Sequence, residues 1–339
     1  MKKIKPTSKN NFFKKLLIKI IRKIGYEIID QSILYSPTKN KVYENNFSEI
    51  NKKNIVLPLG EIEINRKIES VLIILRTFTN ENNQLSVRKK RIFEKEKKEY
   101  TFRSLVSLLK TIQNSKKEFN NIKFFLKIID DNSTQEILNK INEICKKNEC
   151  DYEISNLNIE NYRSYQKFSD NERMVAHNAH IFNSKDFAKN SKFDLFYFVE
   201  DDYIHSEHSL KEMIYSYEKF STICEKDVIL CPADYPYLYQ QNLNSLIFVG
   251  QNNHWRSIDQ TLCTYLISSK ILNKHWEKYY DMITNNYSTY EQPLHEIYKE
   301  EFCFSPIPSL ALHMANLNTI YGLSPLTNWK KLWEENKYE

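Results

Sequence analysis

The sequence predicts an α/β fold: a mostly parallel central sheet flanked by helices, with an N-terminal amphipathic helix. Three observations predict it. From residue 70 onward, short apolar runs rich in β-branched and aromatic residues alternate with longer amphipathic stretches, the pattern of strands joined by crossover helices. Two of those runs end in clustered carboxylates, Asp130-Asp131 and Glu200-Asp201-Asp202, and ligands bind at the C-terminal strand ends of such sheets. The chain also has 339 residues, 41% apolar content, 22 Tyr and 19 Phe, enough to bury a substantial core.

Phe12, Phe13, Leu16, Leu17, Ile20, Ile21 and Ile24 recur at helical spacing, with Lys14, Lys15, Lys19, Arg22 and Lys23 on the other side. Residues 1–26 carry nine Lys or Arg and no acid, so the net charge of +6 belongs to this arm and the rest of the chain is slightly negative. Residues 1–29 are therefore expected to form a basic amphipathic arm that lies on an anionic membrane surface. The interleaved lysines interrupt any signal-peptide apolar region, and no apolar run reaches the roughly 18–20 residues that span a bilayer. The expected location is cytoplasmic, on the inner face of the plasma membrane. Residues 30–69 are polar, carry Pro37 and Pro58, and read as a connecting segment with one or two short strands.

Ser70 to Phe78 is the first buried strand and opens a main domain over residues 70–330. A Lys/Arg/Glu-rich stretch from Arg88 to Lys98 leads into a helix around Phe102 to Ile112. Ile122 to Ile129 is the second strand, and Gln135 to Lys146 a helix with Ser133 or Thr134 as its N-cap. Tyr152 to Leu157 reads as a third strand and Arg173 to Phe187 as a helix. Leu195 to Val199 is the strand that enters the acidic triplet. Beyond it follow a helix around Leu210 to Phe220, a strand from Asp227 to Cys231, and a pairing of Leu246–Val249 with the segment near Trp255. Leu262 to Leu272, Trp276 to Ile283 and Pro293 to Lys299 read as helices, and Phe302 to Pro308 as extended. Residues 331–339 form a C-terminal tail.

Composition excludes several classes. With only Gly25, Gly60, Gly250 and Gly322, the chain has neither a GxGxxG turn nor a Walker-type phosphate loop. Any diphosphate must be held by a divalent metal and basic side chains. Six cysteines form no CxxC pair and read as thiols of a reducing compartment. Basicity confined to one arm is not a nucleic-acid footprint.

Period-two alternation puts Glu200 and Asp202 on one face of their strand end and Asp201 on the other. Adjacent carboxylates at the end of a core strand repel and resist desolvation, so they call for a compensating cation. Oxygen ligands suit Mg²⁺ or Mn²⁺, with substrate phosphates completing the shell. Asp130-Asp131 opens onto the same sheet edge, where one carboxylate can bond a base or ribose.

These residues resemble the GT-A-fold glycosyltransferases, and more loosely their family 2, over residues 70–330. Arg76-Thr77-Phe78 is similar to the family's opening nucleotide-binding strand, Asp130-Asp131-Asn132-Ser133-Thr134 to its nucleoside-contacting turn, and Glu200-Asp201-Asp202 to its DxD metal motif. His177-Asn178 stands where a helix often carries an Arg-Asn pair. Glu291, in Tyr290-Glu291-Gln292-Pro293-Leu294, resembles the site of the inverting catalytic base, with Gln292 in place of a second acid. His313 falls where several members place a metal- or diphosphate-contacting histidine, and Ser324-Pro325-Leu326 with Trp329 resembles a subgroup of bacterial surface-polysaccharide enzymes.

The resemblance implies a nucleotide-binding half over 70–205 and an acceptor half over 206–330. It implies an inverting, Mn²⁺- or Mg²⁺-dependent transfer from a nucleotide-diphosphate sugar to a glycan or lipid-linked acceptor. The metal would sit on Glu200, Asp202 and His313. Arg76, Thr77, Asp130, Asp131, Asn178 and Asp201 would bind the donor, and Glu291 would be the base, with Asp259 the other candidate. His254-Trp255-Arg256 offers a stacking ring and a cation, and Asp234 an acceptor contact or a turn cap. Two alternatives remain at this point: a carbohydrate-binding or scaffold protein that has kept the fold without catalysis, and a nucleotidyltransferase. The second would want a glycine-rich loop, yet residues 76–91 contain no glycine.

Overall fold

The computed structural model describes residues 12–26, 50–51, 53–56, 60–80, 91–166, 171–240, 244–285, 291–314, 323–324 and 326–338. The first eleven residues of the arm, the connecting segment at 30–49, Arg88, Tyr290 and Pro325 lie outside them. In order come α1 (Phe12–Lys23), β1 (Lys53–Val56), β2 (Gly60–Glu63), β3 (Ser70–Thr77), α2 (Lys97–Glu118), β4 (Lys123–Asp130), α3 (Gln135–Lys147), β5 (Tyr152–Asn156) and α4 (Glu160–Arg163). Next are α5 (Glu172–Lys189), β6 (Leu195–Glu200), β7 (Tyr203–His205), α6 (Ser209–Cys224), β8 (Ile229–Leu230), β9 (Ile247–Val249), β10 (His254–Ile258) and β11 (Tyr265–Ser268). The last are α7 (Ser269–Lys274), α8 (Trp276–Thr284), α9 (Gln292–Glu300), β12 (Cys303–Ile307), β13 (Ala311–His313) and α10 (Trp329–Glu335).

Among the described residues nine strands form the central sheet, in the order β5-β4-β3-β6-β11-β8-β12-β10-β9. Its first four are mutually parallel, β8 and β12 are parallel, and β11 and β10 run against their neighbours. Seven of the nine strands therefore point one way, which puts their C-terminal ends on a shared edge.

Alternation builds a layer on each face. Val71, Ile73 and Leu75 of β3, with Leu195, Tyr197 and Val199 of β6, pack under α2, α3 and α6. Leu72, Ile74, Phe196 and Phe198 face α5 and α7–α9. Each fully buried side chain of this size contributes roughly 1.5–3 kcal/mol, so the middle of the sheet is its most strongly held part. The same parity carries past the strand end: Arg76 and Glu200 are register partners on one face, and Asp201 turns to the other.

One expectation is corrected. Leu262 to Leu272 is not a helix throughout: Tyr265–Ser268 forms β11, fully inside the sheet between β6 and β8, and only α7 beyond it is helical. A short apolar run buried on both faces carries no period that separates strand from helix. Near the C-terminus, α10 packs on α2, with the Trp333 ring stacked on Phe93 at 4.2 Å and the Arg103 guanidinium 4.2 Å from its centroid.

The β9–β10 turn is tied down by Glu212 of α6, a buried carboxylate that accepts from the Gln251 and Asn252 backbone N–H groups at 2.9 Å each and from Trp255 Nε1 at 3.3 Å. Gly250 is needed for this approach. A Cβ there would lie 2.6 Å from Trp255 Nε1, 2.7 Å from Ser216 Oγ and closer still to Glu212 Oε1. Because Glu212 is held by several donors it has no room to retreat. Gly250→Ala is expected to lower unfolding stability by about 1–3 kcal/mol in urea titration; an unchanged midpoint would show that the turn yields freely.

Candidate active site

A cavity of about 370 Å³ opens at the C-terminal ends of β3, β4 and β6. Six of the expected site residues line it: Arg76, Asp131, Glu200, Asp201, Asp202 and His313. Arg91, Lys97, Glu172 and Arg173 complete its charged wall, and His177 and His180 line it as well. Arg76, Glu200 and Asp201 segregate by strand parity. Arg76 Nη2 meets Glu200 Oε1 at 3.1 Å. Asp201, on the opposite face, accepts from the Phe78 N–H at 2.9 Å and Thr101 Oγ1 at 2.8 Å and is paired with Lys97. Both oxygens of Asp201, expected to contact the donor, are thus taken by protein groups that tie β3, β6 and α2 together.

Asp202 stands just beyond β6. Its Oδ2 lies 3.4 Å from Arg91 Nη1 and 3.8 Å from Lys97 Nζ, and its Oδ1 lies 3.4 Å from His313 Nε2. Burial opposes its charged form, but Lys97, His313 and Arg91 outweigh that and hold the carboxyl well below its usual range. His313 responds in the opposite sense: burial favours its neutral ring, yet Asp202 prevails and raises its pKa. The imidazole is fixed by β13–β7 pairing and by stacking on Tyr203, centroid to centroid 4.7 Å, whose hydroxyl meets that of Tyr235 at 2.5 Å.

At the neighbouring strand end the two aspartates divide. Asp130 is fully buried and accepts from Thr77 Oγ1 at 2.6 Å and from the Ser133 N–H and Oγ at 2.8 and 2.7 Å, so it and Thr77 build the turn. Asp131 lines the cavity, and burial together with the charge of Asp130 pushes its pKa up to about 6. His177 and His180 of α5 are held neutral, at about 3, by burial and by Arg76. Asn178 is buried beside them, outside the cavity lining, and its Oδ1 has no partner among the described residues.

Glu291 precedes α9. Burial, reinforced by the charge of Glu200, raises its pKa to about 7 against the opposing His313 and Arg76, so it senses the cavity electrostatically although it does not line it. Asp259 is exposed after β10 and is not brought to the cavity. The ring expected to stack on a substrate is core: Trp255 is fully buried and its indole N–H serves Glu212. Arg256 is spent on Asp234, at 2.8 Å. Sequence reading missed Lys97 and Arg91 as site residues. The only signal for them was the basic stretch that contains both.

Among the described residues no group of three or more His, Cys, Asp or Glu side chains could hold a metal ion. The chemistry of one pair does fit. Two cis ligands of an octahedral ion bound at 2.0–2.1 Å lie ~3 Å apart, close to the 3.4 Å between Asp202 Oδ1 and His313 Nε2. The carboxylate oxygen suits Mg²⁺ or Mn²⁺, and the imidazole adds a nitrogen donor of the kind that first-row transition metals accept. Glu200 is turned to Arg76, so the fit is to an open, two-ligand seat that substrate oxygens would complete.

No family model matches this chain, and no curated protein matches it in sequence. Solved structures similar to it include S. aureus TarS, with 12% identity and a TM-score of 0.34 over 61% of this chain and 29% of that one. Others are the galactosyltransferase LgtC in complex with donor and acceptor sugar analogues (9%, 0.35, 69% and 72%) and the inositol-1-phosphate CTP transferase from T. maritima (13%, 0.38, 80% and 96%). The chain spans less than a third of TarS. Glycosyltransferases of the GT-A fold are thus among its structural neighbours.

Proposed function

We propose that this protein is a glycosyltransferase that moves a sugar from a nucleotide-diphosphate donor to a glycan or lipid-linked acceptor, with inversion, in cell-surface polysaccharide synthesis. The observation that carries the reading is the cavity that gathers Arg76, Asp131, Asp202 and His313 on one sheet edge. Asp131 would accept hydrogen bonds from the nucleoside. Arg76 and Arg91 would face the diphosphate, in the role that a glycine-rich loop plays elsewhere. Asp202 and His313 would hold Mn²⁺ or Mg²⁺, which when bound supplies Lewis-acid stabilisation of charge on the departing diphosphate.

In the transfer, the acceptor oxygen forms a bond to the anomeric carbon while the bond from that carbon to the diphosphate oxygen breaks. The electron pair leaves with the diphosphate. The acceptor hydroxyl proton passes to Glu291, whose raised pKa suits a general base near neutral pH. A thermal-shift panel of UDP, GDP, CDP and dTDP, each with Mn²⁺ and with EDTA, tests the reading. One nucleotide should stabilise the protein with Mn²⁺ and lose that effect with EDTA. No shift with any of them would leave a non-catalytic protein as the better reading.

The proposed setting is the cytoplasmic face of an anionic membrane, reached through the N-terminal arm. Phe12, Phe13, Leu16, Leu17, Ile20 and Ile24 of α1 and the turn after it are 46–75% exposed. Among the described residues no helix is long and apolar enough to cross a membrane. An exposed apolar stripe on a cationic helix is suited to the interface plane. Deleting residues 1–26 is expected to abolish co-sedimentation with phosphatidylglycerol-containing vesicles at low salt. Equal binding by the truncated chain would remove the idea.

A further inference from the structure

A second cavity, also of about 370 Å³, lies where α4, the C-terminal half of α5 and α8 meet. Aromatic rings build its wall. Phe182 of α5 is buried at the centre, with Trp276 at 5.4 Å and Tyr280 at 5.9 Å between centroids, and Tyr165 meets Tyr280 edge-on at 5.8 Å. Unlike the rings inside the sheet layers, Trp276 and Tyr280 are half-buried and Tyr165 is 41% exposed. Rings that could be covered more cheaply by aliphatic packing are instead left with a flank toward solvent, as at ligand-binding surfaces.

The rim is polar and balanced in charge. Asn161 offers an amide, Asn190 an amide oxygen (its NH₂ is spent on the Asp186 carbonyl at 2.9 Å and Oδ1 at 3.3 Å), Asp186 a carboxylate, and Lys189 an ammonium 3.8 Å from the centre of the Trp276 ring. Amides both donate and accept, the carboxylate accepts and the ammonium donates. The Lys189 ammonium covers one face of Trp276, so the ring surface left open is chiefly that of Tyr165 and Tyr280. Such apolar ring surface, bordered by both kinds of hydrogen-bonding group, is complementary to a pyranose, which presents C–H groups on its faces and hydroxyls around its edge. A phosphate-bearing ligand would want an excess of cations, and among the described residues this rim has one cation against one anion. The volume is within the range of small-molecule sites.

We propose that this cavity binds neutral pyranose units of a glycan. It stands on the rings and the rim, so it does not depend on the donor-site reading. The two cavities share α5: Glu172 to His180 face the first and Phe182 to Asn190 the second. Nine residues, from His177 to Asp186, span ~13 Å of helix. A glycan held here lies within a few sugar lengths of the acidic strand ends without occupying them.

The test is saturation-transfer NMR, with tryptophan fluorescence alongside, on the full chain with maltohexaose, cellohexaose and chitohexaose as probes. At least one should bind, and Tyr165→Ala, a change at an exposed ring, should weaken it at least tenfold. Lys189→Glu should weaken it as well, and Asp202→Asn should change it less than twofold. Far-UV circular dichroism and the thermal midpoint report whether each variant is folded. No transfer to any of the three probes would overturn the proposal. So would affinity unchanged in both Tyr165→Ala and Lys189→Glu, or affinity lost in Asp202→Asn, which would put the sugar in the first cavity. Displacement of the bound probe by a proline-rich peptide that itself binds more tightly would also overturn it, by assigning the rings to a protein ligand.

Discussion

Asp202→Asn is expected to abolish the Mn²⁺-dependent part of nucleotide binding and to cut sugar transfer by on the order of 10²–10³-fold, the usual loss when one group aimed at developing charge is removed. The substitution is nearly isosteric, so the cavity keeps its shape. What changes is charge: Arg91, Lys97 and His313 all lean on this one carboxylate. Without it the cavity becomes more positive, and nucleotide affinity in EDTA should hold steady or rise. The informative quantity is therefore the difference between Mn²⁺ and EDTA, read by calorimetry for the nucleotide chosen by the thermal-shift panel. A difference equal to wild type would sink the assignment of Asp202 as a metal ligand. Asp201→Asn is the contrasting variant. Its carboxylate neutralises the buried Lys97 and bonds Thr101 and the Phe78 N–H, so its loss should cost about 3–5 kcal/mol of stability. The Mn²⁺ dependence should survive in whatever protein remains folded.

That contrast between neighbouring aspartates was half legible in the sequence. Alternation along a strand that enters an acidic triplet already separates Asp201 from Glu200, and the structure keeps that parity through the last residue of β6. The alternation of apolar runs with amphipathic stretches was likewise enough to place β3, β4, β6 and the helices between them, because each of these strands is six to eight residues long and mostly apolar. β11 was not legible: at four residues, buried on both sides, its pattern has no period to read. Neither was the cationic wall. Arg91 and Lys97 reach Asp202 across more than a hundred residues of chain, and a contact between a helix start and a distant strand end leaves no local signature. Trp255 shows the converse error. A Trp between a His and an Arg reads as a surface ring, but on β10 its inward parity sends it into the core, where Glu212 takes its N–H.

Glu291→Gln is expected to lower kcat by about 10²–10⁴-fold and to erase a limb of the pH profile near 7. In wild type, burial first and the charge of Glu200 second raise this carboxyl from 4.5 to about 7. Below that pH it is protonated and cannot take the acceptor's proton, so the rate should climb through about pH 7 and level off above it. Stability should move the other way. A carboxyl whose folded pKa lies above its unfolded value stabilises the fold fully below about 4.5, and that contribution is lost as pH rises through about 7. The ionised form is the strained one, and it is also the form that catalysis needs. Glutamine keeps the shape without the buried charge, so the variant's thermal midpoint should match wild type near pH 5 and exceed it at pH 8. A purely structural glutamate would give the midpoint change with no loss of kcat, and an exposed base would give the loss of kcat with no midpoint change. Only a carboxylate both buried and reactive gives the two together, and retention of the limb near pH 7 in the variant would assign the base to another residue.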